Sequence, residues 1–159
     1  MTEQAPMSPR ERALAALEGS GINFTITEHG QVKSLEEAAA ARGVDPSAIV
    51  KSMVVRRGEG DYLFVLVPGD RQISWPKFRK YLGISRATMP DADDALAVTG
   101  YVRGTITPFG SLTPWPVIAD SSILGTTVSI GAGAHGVAAT VDADQMIAAL
   151  DAQVADVCE

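Results

Sequence analysis

Apolar and polar positions along this chain follow two periods, and most changes of period are marked by a capping residue or a glycine. "SPRERALAALEGSG" (8–21) has helical spacing. Ser8 suits the N-cap, Pro9 the first turn, and Glu11 completes a capping box. Gly19 and Gly21 are expected to close it. "INFTITEH" (22–29) alternates with period two and predicts a strand. "SLEEAAAARG" (34–43) repeats the helix pattern, with Ser34 as cap, Glu37 in reply and Gly43 as stop. "AIVKSMVVRR" (48–57) and "DYLFVLVP" (61–68) predict two strands joined through "GEG" as a hairpin. "SWPKFRKYLG" and "PDADDALAVTG" predict short helices capped by Ser74 and Asp91. "PVIAD" (116–120) reads as a strand, and "TTVSIGAGAHGVAATV" (126–141) as two strands around a Gly-rich bend. "DADQMIAALDAQVADV" (142–157) predicts a last helix with Asp142 as cap and Gln145 in reply.

These elements do not alternate as βαβ units. The expected fold class is α+β: a compact mixed α/β domain with a largely mixed sheet. The 159 residues fit a single domain, 8–159, behind a disordered N-terminus, 1–7. With 46% hydrophobic residues the chain can form a substantial core. No apolar run of membrane-spanning length occurs, and "MTEQAPMSPRERA" lacks the basic and apolar segments of a secretory signal. The expected location is cytoplasmic, with no membrane partner. The single cysteine, Cys158, excludes an internal disulfide and a Cys-based metal cluster. With only His29 and His135 besides, no metal site and no cofactor are expected.

A net charge of −6 argues against general nucleic-acid coating and against DNA as a partner. The distribution alters that reading locally. Residues 51–86 carry eight basic groups against three acidic ones. Arg56, Arg57, Lys77, Arg79 and Lys80 in this island are candidate nucleic-acid contacts; a solvated face explains the same pattern equally well.

Three stretches are candidates for chemistry. In "IVKSMVV", period two puts Lys51 in a row with Ile49, Met53 and Val55. An inward lysine needs a partner or a polar cavity; an edge-strand lysine or a snorkelling stem needs neither. In "GYVRGTITPFG", Gly104, Pro108 and Gly110 bend an otherwise strand-like run. Such a backbone can point N–H and C=O groups at a small ligand, or form a structural bulge. "GAGAHG" (131–136) matches G-x-G-x-x-G literally, but a strand-like "VAATV" follows where a dinucleotide fingerprint requires a helix. A Gly-rich turn is expected instead, with Gly133 and His135 beside any site. No nucleophile triad, paired carboxylates or metal triad emerges, and Asp120 is the only acid near the bent run.

The order "VKSMVV", "TGYVRGTITPFG", "PVIAD", "GAGAHGVAATV" resembles the YbaK/prolyl-tRNA-synthetase-associated domain family of aminoacyl-tRNA editing domains, from about residue 8 to the end. The resemblance implies short helices around a strongly bent, barrel-like mixed sheet. It also implies an aminoacyl-tRNA deacylase that hydrolyses the ester of a wrong, small amino acid (Cys or Ala class) on tRNA(Pro) or a similar tRNA. The implied partners are the tRNA acceptor end and an aminoacyl-tRNA synthetase. Lys51 takes the catalytic position beside the terminal adenosine. Gly104, Thr105, Ile106, Thr107, Pro108, Phe109 and Gly110, with Asp120, Gly133 and His135, take the substrate-binding positions. Thr27 precedes Glu28–His29 where many relatives carry Tyr, so the resemblance does not assign the amino acid. A non-catalytic binding module of the same fold, recruited to a synthetase or tRNA complex, is the alternative.

Overall fold

The computed structural model describes residues 7–159. The expectation of a disordered terminus over 1–7 therefore lies, apart from Met7, outside the described residues. In chain order the elements are α1 (Pro9–Ser20), β1 (Phe24–Glu28), α2 (Leu35–Arg42), β2 (Val50–Gly58), β3 (Asp61–Pro68), α3 (Trp75–Leu82), α4 (Ala92–Thr99), β4 (Val117–Asp120), β5 (Thr127–Gly131), β6 (Val137–Asp142), α5 (Ala143–Ala149) and β7 (Gln153–Ala155).

The helix starts follow from their caps. Ser8, Ser34, Ser74, Asp91 and Asp142 each accept the backbone N–H three residues on, and Ser8 and Glu11 form the reciprocal capping box. Two replies go elsewhere: Glu37 accepts from the Lys33 N–H, and Gln145 from the Asn23 N–H. Gly19 lies inside α1; the helix closes at Gly21.

The strands form two sheets, β1-β6-β5 and β2-β3-β4-β7. β2 and β3 pair antiparallel, whereas β3, β4 and β7 run parallel, so the expected mixed sheet is present. One parallel bridge, Ile49 to Ser129, joins the two sheets at the start of β2. The expected barrel does not form. The outer strands β1 and β7 do not pair, and a single bridge bends the layers without closing them.

β3 is buried on both faces, which accounts for its unbroken apolar run "YLFVLV". Phe64 and Leu66 enter the larger core with Val50, Val54, Phe109, Val128, Ile130 and Met146. Leu63, Val65 and Val67 face a second core with Phe78, Ile118, Val157 and Cys158. The second core explains a further departure. The expected helix over 142–157 stops at Ala149, and the chain turns through Asp151 (φ 51°) into β7 beside β4. The tail then bonds to Gln72 and Ser74 through Glu159 and Val157. Parallel pairing and burial of Val157 and Cys158 outweigh the helical spacing of the last turns.

Candidate functional site

β2 is the edge of its sheet, and beyond its first residues the molecule opens into a cleft of about 660 Å³. Its walls are Ile49–Val54, the end of α2 at Arg42, the approach to α4 from Met89 to Ala95, the bend at Arg103, Gly104 and Ile106, and Gly131 at the end of β5. Lys51 lies on this wall. It is exposed on an edge strand, the one of the two readings left open by its apolar row in which the cation needs no partner. Its ammonium therefore avoids the burial cost that would demand a partner, and it forms no ion pair among the described residues.

The bent run from Gly100 to Gly110 reaches the cleft at its middle and is clamped at its ends. Arg12, on α1, donates from Nη2 to the Gly100 carbonyl (2.7 Å) and from Nε to the Gly110 carbonyl (3.1 Å). Its guanidinium lies 4.9 Å over the Tyr101 ring, and the buried Tyr101 hydroxyl donates to the Phe109 carbonyl at 2.6 Å. Burial pushes the Tyr101 phenol up, and Arg12 opposes that shift. Gly110 has φ +75°, and a Cβ there would lie 2.5 Å from the Arg12 carbonyl oxygen, so the loop lies directly on α1.

The clamp divides the expected binding residues. Gly104 (φ +91°) and Ile106 line the cleft. Thr105 and Thr107 are buried: the Thr105 hydroxyl donates to the Val102 carbonyl, and the Thr107 hydroxyl accepts from the Phe109 N–H. Pro108 is half-buried, Phe109 belongs to the larger core, and Gly110 faces α1. Gly133 donates its N–H to the Thr105 carbonyl, tying the Gly-rich turn between β5 and β6 to the bend. His135 is exposed on that turn, its ring 3.4 Å from where a Cβ on Gly104 would stand. On its other side is a depression of about 510 Å³ lined by His29–Val32, His135 and Gly136.

Asp120 is not in the cleft. It ends β4, buried, and accepts the Val157 N–H (3.1 Å) and both the N–H and hydroxyl of Ser122. Burial raises its pKa, but these bonds and one from the Cys158 thiol outweigh that and hold it below the usual carboxylate value. Its role is to anchor the C-terminal tail.

The basic island also divides. Lys51 reaches the cleft, but Arg57 pairs with Asp61 and Lys77 with Asp156. Arg56 donates to the Gly58 carbonyl at the distal hairpin turn, and Arg79 and Lys80 occupy the last turn of α3. In place of these, the fold brings Arg42 and Arg103, from outside the island, to the cleft. Sequence reading overlooked both, and no local pattern marks either. Among the described residues the one carboxylate on the cleft wall is Asp91, which accepts the Asp94 N–H as the cap of α4. Three cations against one committed carboxylate give the described cleft wall a positive balance, which favours anions over cations.

Residues 29–149 match the family model of the aminoacyl-tRNA editing domain. Proline–tRNA ligase of Trichlorobacter lovleyi is 32% identical over 91 residues, 57% of this chain and 16% of the ligase. Proline–tRNA ligase of Syntrophotalea carbinolica is 30% identical over 162 residues, 93% of this chain and 28% of that one. The chain thus spans only a small part of the ligases it matches. EbsC of Enterococcus faecalis, named as a candidate Cys-tRNA(Pro)/Cys-tRNA(Cys) deacylase, is 23% identical over 78% of this chain and 76% of its own. Among solved structures, a candidate trans-editing enzyme for prolyl-tRNA synthetase superposes with TM-score 0.86 at 26% identity, over 98% of this chain and 99% of that one. The matched segment holds the whole cleft wall from Arg42 to Gly131, and the chain belongs to the aminoacyl-tRNA editing domain family.

Proposed function

We propose that this protein is a trans-acting aminoacyl-tRNA deacylase, whose cleft takes the 3′ aminoacyl-adenosine of a mischarged tRNA and hydrolyses its ester. The proposed substrate is a small amino acid of the Cys or Ala class on tRNA(Pro) or a similar tRNA. The observation that carries the reading is the convergence of Arg42, Lys51 and Arg103 on one cleft with the backbone of Gly104 and Ile106. The volume is in the range of small-ligand sites.

An aminoacyl ester is activated, so orientation and oxyanion stabilisation supply much of the acceleration. The N–H groups of Gly104 and Ile106 meet no acceptor among the described residues and are free to donate to the carbonyl oxygen as it gains charge. Lys51 adds a mobile cation at the same wall. Water adds to the carbonyl carbon, the bond to the ribose oxygen breaks, and the proton lost by water ends on that oxygen, passed through the neighbouring ribose hydroxyl. The chain's residues orient, polarise and exclude; none is asked to act as nucleophile. Discrimination by a second pocket answers a real need, since one methylene is worth only about 1–3 kcal/mol to a synthetase.

One observation favours a binding module without turnover: the one carboxylate on the wall among the described residues is engaged as a helix cap, so it is not free to act as a base. Single-turnover deacylation separates the two, using tRNA(Pro) charged in turn with Pro, Ala, Cys and Ser. Rapid loss of one wrong amino acid with Pro spared is expected. Lys51→Ala is expected to remove most of that activity while leaving the melting temperature unchanged. Full activity in folded Lys51→Ala refutes the role of Lys51; tRNA binding without any turnover supports the module.

A further inference from the structure

The second cation of the cleft is held in an unusual way. Arg42 is the last residue of α2, before the Gly43 cap, where the helix end favours positive charge. It is half-buried, and burial lowers its pKa from the ordinary arginine value, although a guanidinium remains charged. Arg42 has no ion pair among the described residues, so no carboxylate cancels its charge. Its supports are neutral. Nε points to His29 Nε2 (3.5 Å) and Nη1 to the hydroxyl of the fully buried Ser129 (3.4 Å). His29 Nδ1 lies 2.8 Å from the Gly30 carbonyl, an acceptor, so Nδ1 carries the proton and Nε2 presents its lone pair to Arg42. A neutral acceptor orients a guanidinium without cancelling its charge; a carboxylate would orient it and quench it.

With two of its five N–H donors directed to these supports, the rest of the fork is left for the cleft it lines. A planar fork with uncompensated charge matches phosphate oxygens better than any neutral part of an aminoacyl-adenosine.

We infer that Arg42 is a phosphate-binding residue, set by His29 and Ser129, that grips the phosphate on the 5′ side of the terminal adenosine. The inference rests on the proposed function and deepens it: the ligand class becomes the 3′ end of a nucleic acid, read through its last phosphate as well as its aminoacyl group. His29 is a positioning residue here, acting only through Arg42.

The test is calorimetric binding of adenosine, AMP and a CCA trinucleotide to the full chain, without any hydrolysis assay. AMP is expected to bind about tenfold more tightly than adenosine, the scale of one charge-assisted contact. Arg42→Leu is expected to erase most of that advantage, read as the ratio of AMP to adenosine affinity in a variant shown by circular dichroism to remain folded. His29→Phe, which removes the acceptor, is expected to reduce it, and His29→Gln to restore part, which a merely structural role for the ring would not produce. Equal affinity for AMP and adenosine, absence of AMP binding, or an AMP advantage that survives Arg42→Leu overturns the inference. CCA binding more tightly than AMP, with the same dependence on Arg42, supports a nucleic-acid end; AMP binding as tightly as CCA overturns that part and makes a free nucleotide the occupant. Absent deacylation with an intact Arg42-dependent preference would defeat the hydrolysis and leave this contact standing.

Discussion

Arg12→Ala tests how the cleft is built, because Arg12 bonds to both ends of the bent run. The substitution removes donors to the Gly100 and Gly110 carbonyls and the cation over Tyr101. Bonds to a charged donor contribute about 1.5–3 kcal/mol each, and a ring contact of this kind about 0.5–2 kcal/mol. Arg12 is half-buried, so water recovers part of each term, and a net loss of about 2–4 kcal/mol is expected. That is a large share of the stability of a domain this size. The assay is urea unfolding, in which the midpoint should fall by about 1–2 M at unchanged slope. Arg12→Lys keeps the charge, but a compact ammonium cannot bridge two carbonyls with the planar fork, so less than half should be recovered. Combining Arg12→Ala with Tyr101→Phe should show coupling of about 0.5–2 kcal/mol, since both clamp the same loop. A loss below about 0.5 kcal/mol for Arg12→Ala, typical of an unengaged surface site, would refute the clamp.

Gly104→Ala is expected to cost about 1–2 kcal/mol, because φ is +91° there while the nearest atom to a new Cβ, in the His135 ring, is at ordinary contact distance; a neutral effect in thermal melts would show that the loop relaxes freely. Asp120 is held below the usual carboxylate value, so its contribution is present above about pH 4 and lost as pH falls through its lowered folded value. Asp120→Asn should flatten that acid limb in denaturant midpoints measured across pH, and an unchanged limb contradicts the anchoring role. Cys158 behaves oppositely: burial first, then the charge of Asp120 and the hydrogen bond to it, push its thiol up from 9.0 to about 12. The stability linked to it is full below pH 9 and lost as pH rises toward 12. Iodoacetamide should label Cys158 only as fast as the chain unfolds, and rapid labelling of the native protein would contradict its burial.

The parts legible in the sequence are those whose physics is short-range. A cap such as Ser34 or Asp91 bonds three residues on, and the Val50–Gly58 and Asp61–Pro68 hairpin closes through its own turn. Lys51 and Gly104 could be singled out because each interrupts a local pattern, a cation in an apolar row and a breaker in a strand-like run. The Gly-rich turn could be separated from a dinucleotide site because the residues after it alternate, and they do form β6.

What the sequence by itself determined, then, was every helix start, the strands up to β6, the mixed α/β class and the family; the end of the last helix and β7 it did not. Tertiary structure alone decided which groups face that cleft. Arg12 bonds to carbonyls 98 and 88 positions away, and Arg42 to a hydroxyl 87 positions away. No periodicity encodes such pairs. Asp120 follows a bent run that reaches the cleft, yet faces the opposite core because β7 and the tail pair beyond β4. Lys51 is exposed because its side of β2 opens onto the cleft, which the packing of distant segments sets and residue order does not. Local conformational preference acts over a few bonds and is written in the chain; burial and charge pairing depend on which distant segments close around a group, and only the folded chain sets that.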